Sequence, residues 1–424
     1  MSDRTTSAQA QQSGPGMREF IALVAALMAS NALAIDAMLP ALPAMGDALG
    51  VVEDNRRQLV ITAYLLGFGV AQLLWGPLAD RFGRKWLLAV ALVFYGIFGL
   101  VAGVASSFTL LLAARVLQGI AAAASRVLVV AIVRDRYQGP AMAQVMSLAM
   151  IVFMIVPVLA PSLGQTILAV GQWRHIFIAL GVYGAVLATW VLMRLPETLA
   201  PEKRRPLSLG SIGEAAWTTL RTRQSIGNTL AQTLLMGALF AFINSIQQIV
   251  FDVFHRPEMM ALVFALIAGP MALSSYANSK LVMRLGSRRI LLVALSAFTL
   301  VAATHLTLGE LFGESLWSFV ALQAGTMIFF GLIGANAGAL AMEPLGHIAG
   351  MASSLQGVIT TIGGALIGFV IGQHFDGTTL PFLIGFTSCG ALALAVALWA
   401  NRLPSRDTHD EGEVEIQEIE SRPA

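Results

Sequence analysis

The chain has 424 residues, of which 57% are hydrophobic and only 12% are charged. Soluble globular proteins carry roughly 25% charged residues, so this composition excludes an ordinary water-soluble domain and indicates that lipid covers most of the surface. The net charge of +2 gives no argument for a nucleic-acid partner, and none is expected. One cysteine and six scattered histidines exclude a disulfide framework and a cysteine metal site, so we expect no metal and no cofactor.

Residues 1–17 are rich in Ser, Gln and Gly, and we predict that they are disordered. Twelve apolar runs follow, each near the ~20 residues that a helix needs to cross a bilayer core. The predicted class is therefore an all-α membrane protein. Its predicted spans are 18–39, 58–78, 86–105, 108–131, 143–169, 173–193, 226–250, 259–281, 289–309, 316–341, 349–372 and 379–400.

The longest polar stretch between spans, 196–225, divides the chain into two sets of six. We predict an N-terminal six-helix bundle at 18–195 and a C-terminal one at 226–402, with 196–225 as a cytoplasmic linker. The acidic segment 403–424 is predicted to be a solvated cytoplasmic tail.

Orientation follows from the loop charges, because cytoplasmic loops carry an excess of Lys and Arg. An even number of spans puts both termini on one side. Of the 26 basic residues, 20 lie on that side, and two lie within spans. The opposite side holds only Arg56, Arg57, Arg174 and Arg256. Both termini are therefore expected in the cytoplasm.

An internal repeat supports the division into halves. GPLADRFGRK at 76–85 follows the second span, and KLVMRLGSRR at 280–289 follows the eighth, at an offset of 203. Arg-Leu-Pro ends both halves, at 194–196 and 402–404. Two matches at similar offsets favour duplicated bundles.

The loop after the second span resembles the signature loop of the major facilitator superfamily; the residues that carry this resemblance are Gly76, Asp80, Arg81, Gly83, Arg84 and Lys85. The resemblance implies the facilitator fold, with twelve transmembrane helices in two pseudo-symmetric bundles around a central cavity. It also implies that Asp80 and Arg84 clasp neighbouring helix ends in the outward-open state, with Asp135 as one acidic partner. The alternative is that the basic residues only enforce orientation.

Further stretches resemble the bicyclomycin and chloramphenicol resistance exporters, a drug:proton antiporter group; they are 36–43, 115–119, 134–137, 160–164 and 173–177. The fifth span carries an antiporter-type motif at Pro157, Pro161 and Gly164. Ala160 and Gln165 stand where the group usually has glycines, which puts close helix packing and strict exchange in doubt there.

Asp36 is the main acidic residue that we place deep in a span. A charge at mid-bilayer costs about 3 kcal/mol on insertion scales, so Asp36 should face protein or water and function in transport. Arg115 is the expected partner, because the two residues share a level in the outer half at ~1.5 Å rise per residue. The pair either couples transport to protons or substrate, or forms a fixed ion pair that locks two helices.

Three further residues are candidates near this pair. Asn31 lies one turn and a residue before Asp36, and Gln118 lies three residues after Arg115. Either amide could line the path, although hydrogen bonds between helices are the commoner use. Arg126 lies about three turns after Arg115, on the same face. It would attract an anionic substrate or extend its charge to the cytoplasmic interface.

These observations predict a proton-coupled exporter of small, mainly hydrophobic organic compounds in the bacterial inner membrane. The alternative is uptake or exchange of a metabolite or organic anion by the same fold. The expected partners are a small-molecule substrate, protons and the lipid bilayer, with the proton gradient as energy source and a monomer as the working unit. An embedded enzyme is not expected, because the sequence shows no nucleophile–base pair or metal cluster at a common depth.

Overall fold

The computed structural model describes residues 14–200, 202, 204 and 209–402. Twelve long helices, which we label α1 to α12, make up most of it. They are Met17–Asp36, Leu59–Phe82, Arg84–Gly103, Phe108–Arg136, Gly139–Val170, Trp173–Arg194, Arg223–Gln248, Met260–Leu285, Ser287–Phe312, Leu316–Met342, Ala349–Gln373 and Leu380–Ala400. Short helices lie between them, at Leu39–Ala41, Leu42–Ala48, Asp54–Gln58, Leu209–Arg221, Ile249–Val253, Pro257–Met259 and Glu343–Ile348.

Among the described residues, eleven of these helices are long and apolar enough to cross a membrane, and α5 carries a shorter apolar stretch, Ile155–Val170. The chain is thus a multi-pass membrane protein. Because the number of long helices is even, α1 begins and α12 ends on the same side, which we call the termini face. The other side is the opposite face.

The twelve predicted spans all correspond to helices, with moderate shifts at their ends. The helix α4 continues to Arg136, five residues beyond the predicted end, because nothing breaks the helix before Gln138 and the Gly139-Pro140 pair. Part of the predicted linker is helical, at Leu209–Arg221, and α7 already begins at Arg223. The predicted disorder of 1–17 and the predicted tail fall largely outside the described residues, although Met17 itself begins α1.

The first span is broken rather than continuous. It ends at Asp36, and a 3-10 turn at Leu39–Ala41 and a short helix at Leu42–Ala48 follow. Pro40 and Pro43 cannot donate the backbone hydrogen bonds that would continue the helix, so they cause this break. As a result, Asp36 is the last residue of the α-helix before the 3-10 turn.

Both halves use the same glycine turn between their second and third helices. Gly83 and Gly286 have φ of 95° and 73°, values that residues with a side chain rarely adopt. Each glycine separates two helices directly, so α3 begins at Arg84 and α9 at Ser287. The internal repeat in the sequence therefore corresponds to a repeat in the backbone.

Within each bundle, glycines allow helix backbones to approach closely. A Cβ at Gly119 of α4 would lie 2.1 Å from the carbonyl oxygen of Tyr64, and one at Gly67 of α2 would lie 2.1 Å from that of Val116. In the second bundle, a Cβ at Gly368 of α11 would lie 2.7 Å from the backbone carbon of Phe240 on α7. Small residues at such crossings are the usual basis of helix association in lipid.

The two bundles meet mainly along α2 with α11 and α5 with α8. The hydrogen bonds that join them within the described residues begin at the opposite face, at Asn55 and Gln58, and extend no further than Gln72. Gln72 lies ten residues, or about 15 Å, from the termini-face end of α2. The bundles are thus closed against each other on the opposite face.

Candidate functional site

Arg115 of α4 lies at the centre of the first bundle and is fully buried. Its guanidinium donates to the carbonyl oxygens of Val60 at 3.2 Å and Ala34 at 2.8 Å, and to Oε1 of Gln118 at 2.7 Å. Its Cζ lies 4.3 Å from the centroid of the Tyr64 ring, a cation–π contact worth about 2 kcal/mol when water is excluded. Arg115 therefore ties α1, α2 and α4 together.

Asp36 of α1 is also buried, with 4% of its surface exposed. Its Oδ1 atom is buried and has no hydrogen-bond partner. No ion pair among the described residues includes this carboxyl group. A buried carboxyl group without a partner is costly to keep ionised, so the site is one that a proton would relieve.

The predicted ion pair between Asp36 and Arg115 is not formed in this conformation. The depth estimate agrees with the structure, because Arg115 reaches the carbonyl oxygen of Ala34, two residues before Asp36. However, two backbone carbonyl groups, the Gln118 amide and the Tyr64 ring already surround the guanidinium. The hydrogen-bonding groups of Arg115 have partners without Asp36. The fixed ion pair that would lock two helices is therefore absent in this conformation.

Two tyrosines that the sequence analysis did not single out complete the polar layer. The hydroxyl of Tyr64 donates to Oδ1 of Asn31 at 2.9 Å, and that of Tyr95 donates to the carbonyl oxygen of Ser30 at 3.0 Å. Gln118 reaches the backbone of Tyr95 at 3.5 Å. Asn31 and Gln118 thus make hydrogen bonds between helices. The sequence signal was available, since Tyr64 and Tyr95 are two of only five tyrosines and both lie inside predicted spans.

The second bundle places neutral polar residues at the corresponding positions. The helices α4 and α10 start at Phe108 and Leu316, an offset of 208, and the same offset carries Arg115 to Gln323 and Asp36 to Asn244. Each of Asn244 and Gln323 is 1% exposed, and neither makes a side-chain hydrogen bond. The Nε2 of Gln247, one turn after Asn244, is also without a partner. The sequence analysis did not predict this role for Gln323.

Arg126 lies eleven residues after Arg115 on α4, about 16 Å further toward the termini face. In contrast to Arg115, it is exposed, and it makes no hydrogen bond or ion pair with a described residue. It lies ten residues before the end of its helix at Arg136. Because an arginine at this depth is costly in lipid, its exposed surface indicates a water-filled space that opens toward the termini face.

The antiporter-type motif on α5 lies beside the break in α1. A Cβ at Gly164 would lie 1.9 Å from the carbonyl oxygen of Ala37, so α5 touches the backbone directly after Asp36. Pro161 is buried and Pro157 is half-buried on the same helix. Close packing here thus depends on Gly164 and persists although Ala160 and Gln165 replace the expected glycines.

The predicted clasp in the signature loop is present. Arg84 is buried and pairs with Asp135 at the end of α4 through a short contact, and its NH1 also donates to the carbonyl oxygen of Ala131 at 2.7 Å. Oδ1 of Asp80 lies 3.7 Å from the NH2 atom of Arg84. The resemblance associated this clasp with an outward-open state, whereas here it coexists with bundles closed on the opposite face.

The other loop residues have peripheral positions. Arg81 and Lys85 lie over the rings of Phe82 and Trp86. Gly76 is half-buried, and a Cβ there would meet only Val127, at 3.9 Å.

Glu197 completes this corner and was missed from the sequence. Its carboxylate accepts the backbone N–H groups of Arg84 at 2.9 Å and Lys85 at 3.2 Å. A carboxylate at a helix N-terminus satisfies N–H groups that have no partner within the helix. The signal was the glutamate that directly follows the first Arg-Leu-Pro.

Four carboxamides close the opposite face, and we call them the carboxamide clasp: Asn55 and Gln58 from the first bundle, Gln248 and Gln373 from the second. Gln248 bonds Gln58 at 2.5 Å and Asn55 at 2.7 Å. Gln373 donates to the carbonyl oxygen of Asn55 at 2.7 Å. The clasp connects the bundles through uncharged groups.

Two packed helical bundles, a polar layer buried within the first of them, closure on one face and an exposed arginine toward the other are features of a membrane transporter of the alternating-access type. The chain belongs to the Major Facilitator Superfamily, whose family model matches residues 24–368. The family consists of transporters, so the chain is a transporter and not an enzyme.

Bacterial relatives agree with this assignment. The chain is 30% identical to an uncharacterized MFS-type transporter YdgK of Bacillus subtilis over 82% of this chain and 87% of that one. It is 28% identical to a bicyclomycin resistance protein homolog of Haemophilus influenzae, over 85% and 90% of the two chains. It is also 28% identical to the multidrug resistance protein MdtL of Salmonella heidelberg, over 95% and 99%. The resemblance to the drug exporter group is thereby confirmed.

The fold has a solved counterpart in the human organic anion transporter MFSD10 (TETRAN). The two structures superpose with a TM-score of 0.64 over 91% of this chain and 100% of that one, at 20% sequence identity. This similarity confirms the facilitator fold.

Proposed function

We propose that the chain exports small, mainly apolar organic compounds from the cytoplasm in exchange for protons. It acts as a monomer in the bacterial inner membrane, with the termini face in the cytoplasm and no cofactor. The loop charges support this orientation, and the relatives with resistance names support drug-like cargo.

The observation that carries the proposal is the contrast between Asp36 and Arg115. The arginine is satisfied by groups of α1, α2 and α4, while the carboxyl group of Asp36 has a buried oxygen without any hydrogen-bond partner. In the present conformation, closed on the opposite face, Asp36 holds a proton. Cargo that enters from the termini face displaces this proton, which leaves to the cytoplasm. When the bundles then rock and open the opposite face, the cargo leaves and the ionised carboxyl group can take up a new proton there.

Export then follows from alternating access. Cargo enters from the termini face past Arg126 and contacts the polar layer, where Asn244, Gln247 and Gln323 supply hydrogen-bonding groups that are buried and unpaired. Apolar side chains supply most of the remaining contact, as is usual for small-molecule sites. Protonation of Asp36 from the opposite face returns the empty carrier.

The test is flux in sealed proteoliposomes with a pH gradient, comparing wild type with Asp36→Asn. We expect the variant to lose pH-driven transport of a resistance substrate at least tenfold while its folded yield is unchanged, because an amide cannot take up and release the proton. Glu258→Gln, which changes an exposed carboxylate on the opposite face, is the matched control and should transport normally. Equal pH-driven flux in Asp36→Asn and wild type would remove Asp36 from the mechanism.

A second candidate function is uptake or exchange of an organic anion, which the exposed and unpaired Arg126 favours. Under this alternative, Arg126→Ala lowers counterflow of anionic compounds at least tenfold and spares cationic ones. Arg134→Ala removes an exposed arginine from the same helix outside the predicted path and serves as the control. If anion and cation flux respond equally to Arg126→Ala, the anion alternative is contradicted.

A further inference from the structure

The second bundle has a cavity of about 990 Å³ at the termini face. Three arginines line it: Arg288 and Arg289 in the first turn of α9, and Arg402 two residues after the end of α12. None of them makes a hydrogen bond or an ion pair with a described residue. Glu343 is the one acid in the lining, and Gln224 donates to it at 2.7 Å. The cavity thus carries an excess of positive charge.

The first bundle explains why this space is open. There, the arginine that follows the glycine turn, Arg84, is buried and pairs with Asp135. The repeat at an offset of 203 puts Ser287 in place of Arg84, and the offset of 208 puts Glu343 in place of Asp135. Because a serine is too short to reach that acid, the corner that is filled in the first bundle is a cavity in the second.

The first bundle also indicates what occupies such a corner. Glu197 places a carboxylate on the N–H groups of Arg84 and Lys85, the first residues of α3. In the second half, Ser405 follows Arg402 as Glu197 follows Arg194, so the chain supplies no acid at that position of the sequence. The first turn of α9 has no side-chain cap, so its free N–H groups lie at the same cavity as the three arginines.

The rest of the lining suits a lipid better than a free ion. Leu285, Leu292, Leu340 and Ala400 form an apolar wall, and Leu285 is 44% exposed at its edge. The arginines lie at helix ends, where lipid headgroups meet the protein. Basic pockets between transmembrane helices on the cytoplasmic side are suited to anionic headgroups.

We propose that this cavity binds the phosphate headgroup of an anionic phospholipid, such as phosphatidylglycerol, from the leaflet at the termini face. The three arginines and the first turn of α9 hold the phosphate, while the leucine wall contacts the glycerol and the upper acyl chain. This site is separate from the transport path. It fixes the corner of the second bundle with a lipid where the first bundle uses its own glutamate.

The test is native mass spectrometry of the purified full chain, titrated with dihexanoyl phosphatidylglycerol or dihexanoyl phosphatidylcholine. We expect at least tenfold tighter binding of the anionic lipid. The triple variant R288Q/R289Q/R402Q should lose this preference. The triple variant R18Q/K280Q/R284Q, which removes the same charge from termini-face residues outside the cavity, should keep it. Equal behaviour of the two triple variants would overturn the site.

Two further arms identify the source of the anion. If millimolar inorganic phosphate displaces the lipid completely, the cavity is a free-anion site and the lipid proposal fails. If the lipid binds only after the seven acids of 403–424 are changed to their amides, the chain's own tail occupies the cavity and the proposal also fails. Leu292→Trp fills the cavity without changing its charge and should weaken lipid binding as well. Melting curves of all variants are the control that a loss of binding is not a loss of fold.

Discussion

Arg115 binds three helices at once, and its geometry depends on the shape of its side chain. A guanidinium presents a planar fork of donors, and here the fork reaches two carbonyl groups and an amide while its face lies on Tyr64. A lysine has one ammonium group and no planar face. The position is therefore selective for arginine on structural grounds alone, independently of any role in transport.

We predict that Arg115→Lys lowers the free energy of unfolding by about 3 kcal/mol, because charged hydrogen bonds contribute about 1.5–3 kcal/mol each and one ammonium group cannot replace all of them. The measurement is thermal or denaturant unfolding in detergent. Arg126→Lys, an exposed arginine on the same helix without a described partner, is the control and should change stability by less than about 0.5 kcal/mol. Equal losses in both variants would contradict this description of Arg115.

At the residue scale, the sequence was sufficient to find Asp36 and Arg115, because charges in apolar runs are conspicuous. It was not sufficient to predict their relation. Whether Arg115 bonds the acid or the carbonyl group of Ala34 depends on side-chain directions set by the α2–α4 crossing at Gly67 and Gly119. Tyr64 was missed because an aromatic residue within a span is ordinarily interpreted as part of the hydrophobic core.

Among the elements, the broken first helix and α5 act together. The break after Asp36 leaves the carbonyl group of Ala37 facing α5, and Gly164 leaves room for it. Any side chain at 164 must push the helices apart next to the acid. The separation of α1 and α5 at this point therefore controls the surroundings of Asp36.

We predict that Gly164→Ala costs about 1–3 kcal/mol of stability and reduces pH-driven flux, since the new Cβ would lie 1.9 Å from the Ala37 oxygen. Both unfolding and proteoliposome flux are measured. Gly334→Ala in the interior of α10 is the matched control, because a Cβ there meets nothing within 4 Å. That control should be neutral or slightly stabilising, as alanine favours a helix over glycine by about 1 kcal/mol. A similar response of the two variants would refute the contact.

At the element scale, hydropathy predicted every long helix, because twenty apolar residues leave the backbone no alternative in lipid. Helix ends were less predictable, since polar residues such as those at 134–136 extend α4 beyond the apolar run. The capping of α3 by Glu197 could not be predicted from the sequence, because it joins residues 113 positions apart in the chain.

In the whole molecule, the two bundles are in contact at the opposite face. Arg115 and Arg126 share a side of α4, yet the first is buried in packed protein and the second is exposed. This gradient along one helix and the position of the carboxamide clasp describe the same state, closed on the opposite face and open toward the termini. A state open at the opposite face requires the carboxamide clasp to separate.

We predict that Asn55→Ala combined with Gln373→Ala shifts the population toward opening at the opposite face by at least tenfold. Each hydrogen bond contributes about 0.5–1.5 kcal/mol, and the pair takes part in several. The measurement is a spin-label distance between cysteines at positions 52 and 376, in a background where the one native cysteine, Cys389, is serine. Gln172→Ala, an amide on the same face that bonds only within the first bundle, should leave the distance distribution unchanged. An unchanged distribution in the double variant would show that the clasp does not hold this state.

The amides of the clasp have a consequence for how the resting protein behaves in an energised membrane. Moving one elementary charge through 100 mV is worth about 2.3 kcal/mol, but four neutral amides carry no net charge to move. Parting them therefore takes no electrical work of its own. Without cargo, the carrier should therefore open at the opposite face no faster in vesicles whose membrane voltage has been collapsed than in polarised vesicles.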